Sequence, residues 1–188
     1  MTKRTRVRID DSNVDGRLAN KAQMLVDLIS PKDLYFIGGR ALAKTSGIIA
    51  QRSQKIIHDM PGSYQMFVSD TYMNALTNVL PALIEGWQRM GWREGIHFVT
   101  DKRPPSHFKL PYKPPLHYKH TISVFTGNMF NLGSLDQPSG LAGGSYQHRF
   151  GDEARLLKKK KLDRSTPALR GEFVRFGHSP YYMGNTFT

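Results

Sequence analysis

Leu34-Tyr35-Phe36-Ile37-Gly38-Gly39-Arg40-Ala41-Leu42-Ala43-Lys44-Thr45-Ser46 is the stretch on which the fold turns. Its four apolar residues end at two glycines, the pattern of a buried strand running into a tight turn. Beyond the turn, Ile48, Ile49, Ile56 and Ile57 recur at helical spacing until Met60-Pro61-Gly62. This predicts a helix from Lys44 or Thr45 to about His58. Strand, glycine turn and helix are the context of the phosphate-binding loop G-x-x-x-x-G-K-[ST], which the stretch matches except that Ala43 stands for the second glycine. In such a loop, backbone N–H groups and the positive end of the helix face the anion. Lys44 then supplies a point charge for the outer phosphates, and the Thr45 hydroxyl is a Mg²⁺ ligand. The alternative is a plain glycine turn with Lys44 solvated, and the Cβ of Ala43 crowds a conformation that suits glycine.

Upstream, Leu18, Met24, Leu25 and Leu28 suit one face of a helix from about Gly16 to Leu28, which Ser30-Pro31-Lys32-Asp33 breaks. Downstream, Tyr64 to Val68 reads as a second strand. Asp70 or Thr71 is placed to cap a helix running to about Met90, with a kink at Pro81. Trp87 and Trp92 read as packing residues. The order strand, helix, strand, helix predicts an α/β domain with a largely parallel sheet. Thr121 to Phe125 and Met129 to Leu132 flank Gly127-Asn128, which predicts a hairpin with a two-residue turn and hence added antiparallel strands. A glycine-rich loop from Gly133 to Gly144 follows, and Phe173-Val174-Arg175-Phe176 is the last apolar-alternating stretch before a polar end.

The 188 residues carry 27 Lys+Arg against 15 Asp+Glu, a formal charge of +12, so the partner expected is anionic. The cations cluster in an arm with Lys3, Arg4, Arg6 and Arg8, in a stretch from 101 to 120, and at Lys158 to Lys161. Five of the eleven prolines fall in the middle stretch and forbid a regular helix or central strand there, so it reads as a long surface loop or lid. His117 and His120 lack the further ligands of a metal site. Lys158 to Lys161 suit phosphates or a solvated helix end equally. With no cysteine, disulfides, thiolate metal sites and cysteine nucleophiles are excluded. The longest apolar run, Val79 to Ile84, is too short for a membrane span, and the N-terminus lacks the form of a secretory signal.

A phosphate-binding loop that hydrolyses its ligand needs acidic partners, and Phe150-Gly151-Asp152-Glu153-Ala154 offers them. Asp152 would hold the Mg²⁺ shell and Glu153 would orient the attacking water. The preceding Tyr146-Gln147-His148-Arg149 is more polar than an ordinary buried strand.

Taken together, three passages resemble the ATPase domain of the large terminase subunit of tailed bacteriophages. They are Gly38-Gly39-Arg40 through Lys44-Thr45-Ser46 as a deviant Walker A, Leu135 to Gly144 leading into Phe150-Gly151-Asp152-Glu153-Ala154 as Walker B, and Met183-Gly184-Asn185-Thr186-Phe187-Thr188 as the coupling motif. The resemblance implies a P-loop NTPase of the ASCE or RecA-like kind, a three-layer sandwich whose central sheet is mostly parallel. It divides the chain into a basic arm and helix (1–33) and an ATPase core (34–188). By that resemblance, Gly38, Gly39, Arg40, Ala41, Leu42, Ala43, Lys44, Thr45 and Ser46 form the nucleotide loop and Thr45 and Asp152 hold Mg²⁺. Glu153 and Arg40 then act in catalysis, while Thr186 and Thr188 couple nucleotide state to movement. Arg155, Arg164 and Arg170 are candidates for an arginine offered to a neighbouring subunit, and residues from Ala22 to Pro31 for the adenine contact.

The expected activity is Mg²⁺-dependent ATP hydrolysis that drives double-stranded DNA into a procapsid, in the cytoplasm of an infected bacterium. The resemblance further implies a homo-oligomeric ring, with portal protein and small terminase subunit as partners. The carboxylate cluster of a two-metal nuclease is not seen in the sequence, so the chain is expected to be the motor part of a longer protein. A helicase-like P-loop motor and a non-catalytic basic DNA-binding module are the alternatives.

Overall fold

Asn20 sets the first boundary of the fold. In this computed structural model, which describes residues 19–39, 42–136, 141 and 143–188, the Asn20 side chain accepts from the Gln23 N–H at 2.9 Å while the Gln23 side chain accepts from the Asn20 N–H at 3.1 Å. This reciprocal capping box starts α1 (Lys21–Ile29) later than the apolar spacing predicts, and Ser30 in the left-handed region ends it. Leu18 and the basic arm lie outside the described residues. The face predicted to be apolar is outward: Met24, Leu25 and Leu28 are exposed, and Gln23 is the buried residue.

β1 (Leu34–Tyr35) is shorter than expected, although the Phe36 N–H still donates to the Phe187 carbonyl at 2.8 Å. A π-helical turn (Lys44–Ile49) then leads into α2 (Ala50–Asp59). As the periodicity predicts, Ile48, Ile49, Ile56 and Ile57 are all buried. β2 (Tyr64–Ser69) is buried along its whole length. The Thr71 hydroxyl caps the next helical stretch, which is a short α3 (Tyr72–Asn74), a π-turn (Ala75–Val79) and α4 (Leu80–Arg89). The irregularity lies one turn before Pro81, where the ring would collide with the carbonyl four residues earlier; a widened turn accommodates it.

β3 (Phe98–Thr100), β4 (Thr121–Val124) and β5 (Met129–Ser134) are antiparallel neighbours. The β4–β5 turn differs from the two-residue expectation. Gly127 N–H donates to the Val124 carbonyl at 2.8 Å and Val124 N–H to the Asn128 carbonyl at 2.9 Å, so the loop is Phe125-Thr126-Gly127. Gly127, at φ +90°, occupies the left-handed position that such a three-residue loop demands. Residues 101–120 between β3 and β4 form neither helix nor strand, as their prolines require.

β6 (His148–Gly151) and β7 (Gly184–Phe187) complete a seven-stranded sheet of order β1-β7-β6-β2-β5-β4-β3. The five strands from β1 to β5 in that order are parallel. Alternation along β2 sends Phe67 to one side, against Ile49, Ile56, Ile57, Leu83 and Trp87, and Met66 and Val68 to the other, against Leu135, Leu141, Tyr146, Leu157 and Phe187. Trp87 and Trp92 are both buried, and Trp87 donates to Ser53 of α2 at 2.9 Å, joining α4 to α2. The second side is covered by α5 (Lys159–Ser165), flanking 3₁₀ turns and loops. Phe173–Phe176 is a short helix, α6, with Phe173 and Val174 exposed. A mostly parallel sheet covered on both faces is thus the α/β sandwich expected.

Candidate functional site

The carboxyl ends of β1, β6 and β7 lie side by side, the position where open parallel sheets bind ligands. β7 is inserted between the strand that leads to Lys44 and the strand that ends just before Asp152. Residues separated by more than a hundred positions therefore meet. The Thr45 hydroxyl donates to Asp152 Oδ2 at 2.5 Å, and the Thr188 hydroxyl donates to Asp152 Oδ1 at 2.7 Å. Two backbone bonds set the Thr188 position: its N–H donates to Gly151 O at 3.1 Å and its carbonyl accepts from Ala154 N–H at 2.8 Å. Thr45 and Asp152 are adjacent hard oxygen donors, chemistry that suits Mg²⁺.

Ala43 sits at φ 48°, ψ 48°, the left-handed conformation for which a glycine was expected, and its carbonyl accepts from Gly47 N–H at 2.7 Å. Lys44 Nζ donates to the Gly38 carbonyl at 3.4 Å, folding the ammonium over the turn. Arg40 and Ala41 lie outside the described residues. Glu153 is also left-handed, at φ 52°, so the chain turns sharply out of β6, and the two consecutive acids take different partners. Its carboxylate accepts from Arg155 Nε at 2.9 Å within the same chain.

These groups border a cavity of about 570 Å³ lined by Gly38, Gly39, Lys44, Glu153, Arg155 and Thr188 on its polar side. Its volume lies in the ordinary range for small-ligand sites. Tyr35, Phe36, Ile37 and Phe187 make the apolar wall, with Tyr35 and Phe187 stacked at 5.6 Å between ring centroids. Sequence reasoning missed this wall because its residues read simply as strand. None of residues 22–31, expected to meet the adenine, lines this cavity.

Thr186 is on the same face of β7 as Thr188 but deeper, away from the cavity. Its hydroxyl meets Arg52 Nε at 2.7 Å and His148 Nε2 at 2.9 Å. Complete burial lowers the His148 pKa to about 3, with Arg52 and Arg149 adding to the effect, so the ring is neutral. Burial also lowers the Arg52 pKa to about 10, leaving it charged at neutral pH. The polar character of β6 has a structural answer: Arg149 donates to Asn185 Oδ1 and Ser165 Oγ, both at 2.8 Å, and its guanidinium lies 5.4 Å from the Phe187 ring centroid.

Of the four lysines at 158–161, Lys159 pairs with Asp163 at 2.7 Å and Lys161 pairs with Asp136. Among the described residues, no group of three His, Asp or Glu forms a separate metal site, and no helix is long and apolar enough to cross a membrane.

No family model matches the sequence, and no curated protein matches it. Solved structures do. The large terminase of a thermophilic bacteriophage superimposes with a TM-score of 0.59 at 14% identity over 91% of this chain. The fold is that of the phage large-terminase ATPase domain. The ATPase domain of the Thermus phage P74-26 large terminase gives a TM-score of 0.55 at 15% identity, and an arginine-to-alanine mutant of that domain gives 0.54, each over 91% of this chain. The chain spans 38% of the first large terminase and 64% of the Thermus phage domain. In this terminase-type fold, Lys44, Thr45, Asp152, Glu153 and Thr188 are gathered at one edge of the sheet, whereas Thr186 faces the interior.

Proposed function

We propose that this chain is the Mg²⁺-dependent ATPase unit of a terminase-type motor that moves double-stranded DNA into a viral procapsid. The observation that carries the reading is Asp152, bonded at once to Thr45 of the phosphate-binding turn and to Thr188 at the end of β7, with Lys44 and Glu153 lining the adjoining cavity. Lys44 would leave the Gly38 carbonyl for the outer phosphates, and Arg40 would neutralise charge that develops during transfer. Thr45 and Asp152 would hold Mg²⁺, which when bound supplies charge neutralisation between the phosphates. Glu153 would release Arg155 and orient the attacking water, a step that in-line phosphoryl transfer requires. Thr188 reports on Asp152 and so on whether the metal position is filled.

Gly38 through Ser46 form the nucleotide loop in this reading, and 34–188 is the ATPase core preceded by the arm and helix of 1–33. The remaining lysines and arginines, above all those of residues 101–120, would grip DNA through its phosphates with little base reading. Assembly as a ring with the portal protein and small terminase subunit, in the cytoplasm of an infected bacterium, belongs to the same proposal.

The test is Mg²⁺-dependent ATP hydrolysis with and without DNA. Lys44→Ala and Glu153→Gln are each expected to lower kcat by about 100-fold or more, since each removes a group that acts on the transferred phosphoryl or its nucleophile. Unchanged hydrolysis in Lys44→Ala would sink the assignment. Absence of nucleotide binding by the wild type would favour a non-catalytic basic module, and strand separation would favour a helicase-like motor.

A further inference from the structure

Arg52 is 3% exposed, and among the described residues none of its hydrogen bonds goes to a carboxylate, although the Asp33 charge favours its charged form against the effect of burial. Its Nε donates to the Thr186 hydroxyl at 2.7 Å, and Nη2 donates to the Pro31 carbonyl and to that of Lys32 at 3.1 Å. The guanidinium lies 5.1 Å from the Tyr181 ring centroid. Burying a guanidinium among neutral acceptors is costly, and an apolar side chain of similar volume is often as stable or more so. Stability alone is therefore a weak reason for an arginine here.

The proton order around it is determined. The Tyr181 carbonyl can only accept, so His148 Nδ1, at 2.9 Å, carries the hydrogen and donates. With the ring neutral, His148 Nε2 is an acceptor, and the Thr186 hydroxyl donates to it at 2.9 Å. That leaves the Thr186 oxygen as the acceptor for Arg52. Each group in this chain has one role, so the Thr186 hydroxyl is held in one orientation.

The node joins elements that also meet at the nucleotide end. α2 continues from the turn that bears Thr45, and β7 leads to Thr188; both threonines bond to Asp152. α2 and β7 are thus tied twice, at the cavity through Asp152 and deeper through Arg52 and Thr186. Through Pro31 and Lys32, Arg52 also holds the segment that enters β1.

We propose that Arg52 is a positioning residue that fixes β7 against α2. A change at the Thr45–Asp152–Thr188 contact is then transmitted along β7 as a rigid movement instead of being absorbed by slip between helix and strand. The proposal rests on the ATPase reading and adds to it a residue that touches neither nucleotide nor metal.

The test uses the 188-residue chain with Arg52→Met, Thr186→Val, their double variant and Thr186→Ser, measuring ATP hydrolysis and thermal melting. Arg52→Met and Thr186→Val are each expected to lower kcat at least tenfold while the KM for ATP stays within threefold and melting stays within a few degrees. The double variant should be no slower than the slower single one, because both remove the same bond. Thr186→Ser, which keeps the hydroxyl, should recover kcat to within threefold of wild type. A kcat within twofold of wild type in either single variant, a loss confined to KM, or a loss that follows the melting temperature would overturn the proposal alone. Should Arg52→Met fail to fold, Thr186→Val breaks the bond from its other side and carries the same test. Absence of nucleotide binding by the wild type would instead remove the ATPase reading, and this inference with it.

Discussion

Asp152 receives hydroxyls from two residues at distant points of the chain, Thr45 and Thr188, and its own Oδ1 also accepts from the Glu153 N–H at 3.0 Å. A buried carboxylate so supplied has its lone pairs directed by fixed donors. Ala43 is the residue at odds with its conformation. At φ 48° its Cβ approaches the following carbonyl, a cost of roughly 1–2 kcal/mol that glycine avoids. Ala43→Gly is therefore expected to raise unfolding stability by about 1 kcal/mol, read as a higher urea midpoint at unchanged m-value. A lower midpoint would show that the loop gains more from the alanine than the left-handed backbone costs.

At the scale of elements, the π-helical turn at Lys44–Ile49 depends on α4 as much as on its own sequence. Gly86 of α4 packs on the π-helical turn so closely that a Cβ there would lie 2.3 Å from the Ser46 carbonyl oxygen and 2.5 Å from the Ala50 Cβ. The first contact is with backbone, which cannot rotate aside. In an open helix, Gly→Ala gains up to about 1 kcal/mol. Here overpacking is expected to reverse the sign, so that Gly86→Ala destabilises by about 1–3 kcal/mol and weakens nucleotide binding, measured by denaturant unfolding and by titration of a nucleotide analogue. An increase in stability would show that α4 and the turn can separate without cost.

The whole molecule should lose stability in acid, and His148 gives the direction. Its folded pKa is about 3, against 6.5 in the unfolded chain, so between these values only the unfolded chain binds the proton. The contribution is complete above pH 6.5 and is lost as the pH falls toward 3. Linkage gives about 2 kcal/mol of loss from this residue between about pH 7.5 and pH 5. Urea midpoints at the two pH values check it, and His148→Gln, which does not titrate, is expected to reduce the difference by that amount. A His148→Gln protein with the same pH dependence would show that other groups carry it.

Much of the fold was legible because it rests on local patterns. The apolar run before Gly38, the isoleucines of α2 and the capping residue Thr71 each predict their own element from neighbours a few residues away. The misreadings also have local causes. In α1 the apolar spacing is real but the face is outward, and at Gly127 the glycine closes a three-residue loop where a two-residue turn was expected. The candidate site divides in the same way. Lys44, Thr45, Asp152 and Glu153 could be named from motif and spacing, because a phosphate loop needs a strand, a turn and a helix in sequence. The apolar wall of Tyr35 and Phe187, the Arg155–Glu153 contact, and the roles of Arg52 and His148 could not. These depend on β7 being inserted between β1 and β6, which brings distant segments within hydrogen-bond reach. Helix and strand periodicity act over short range, so most elements and the candidate site residues were already readable from neighbours in the chain. Tertiary structure alone decided which hydroxyl meets which acid and how the deep end of β7 is held, since strand order is set by packing of the whole sheet.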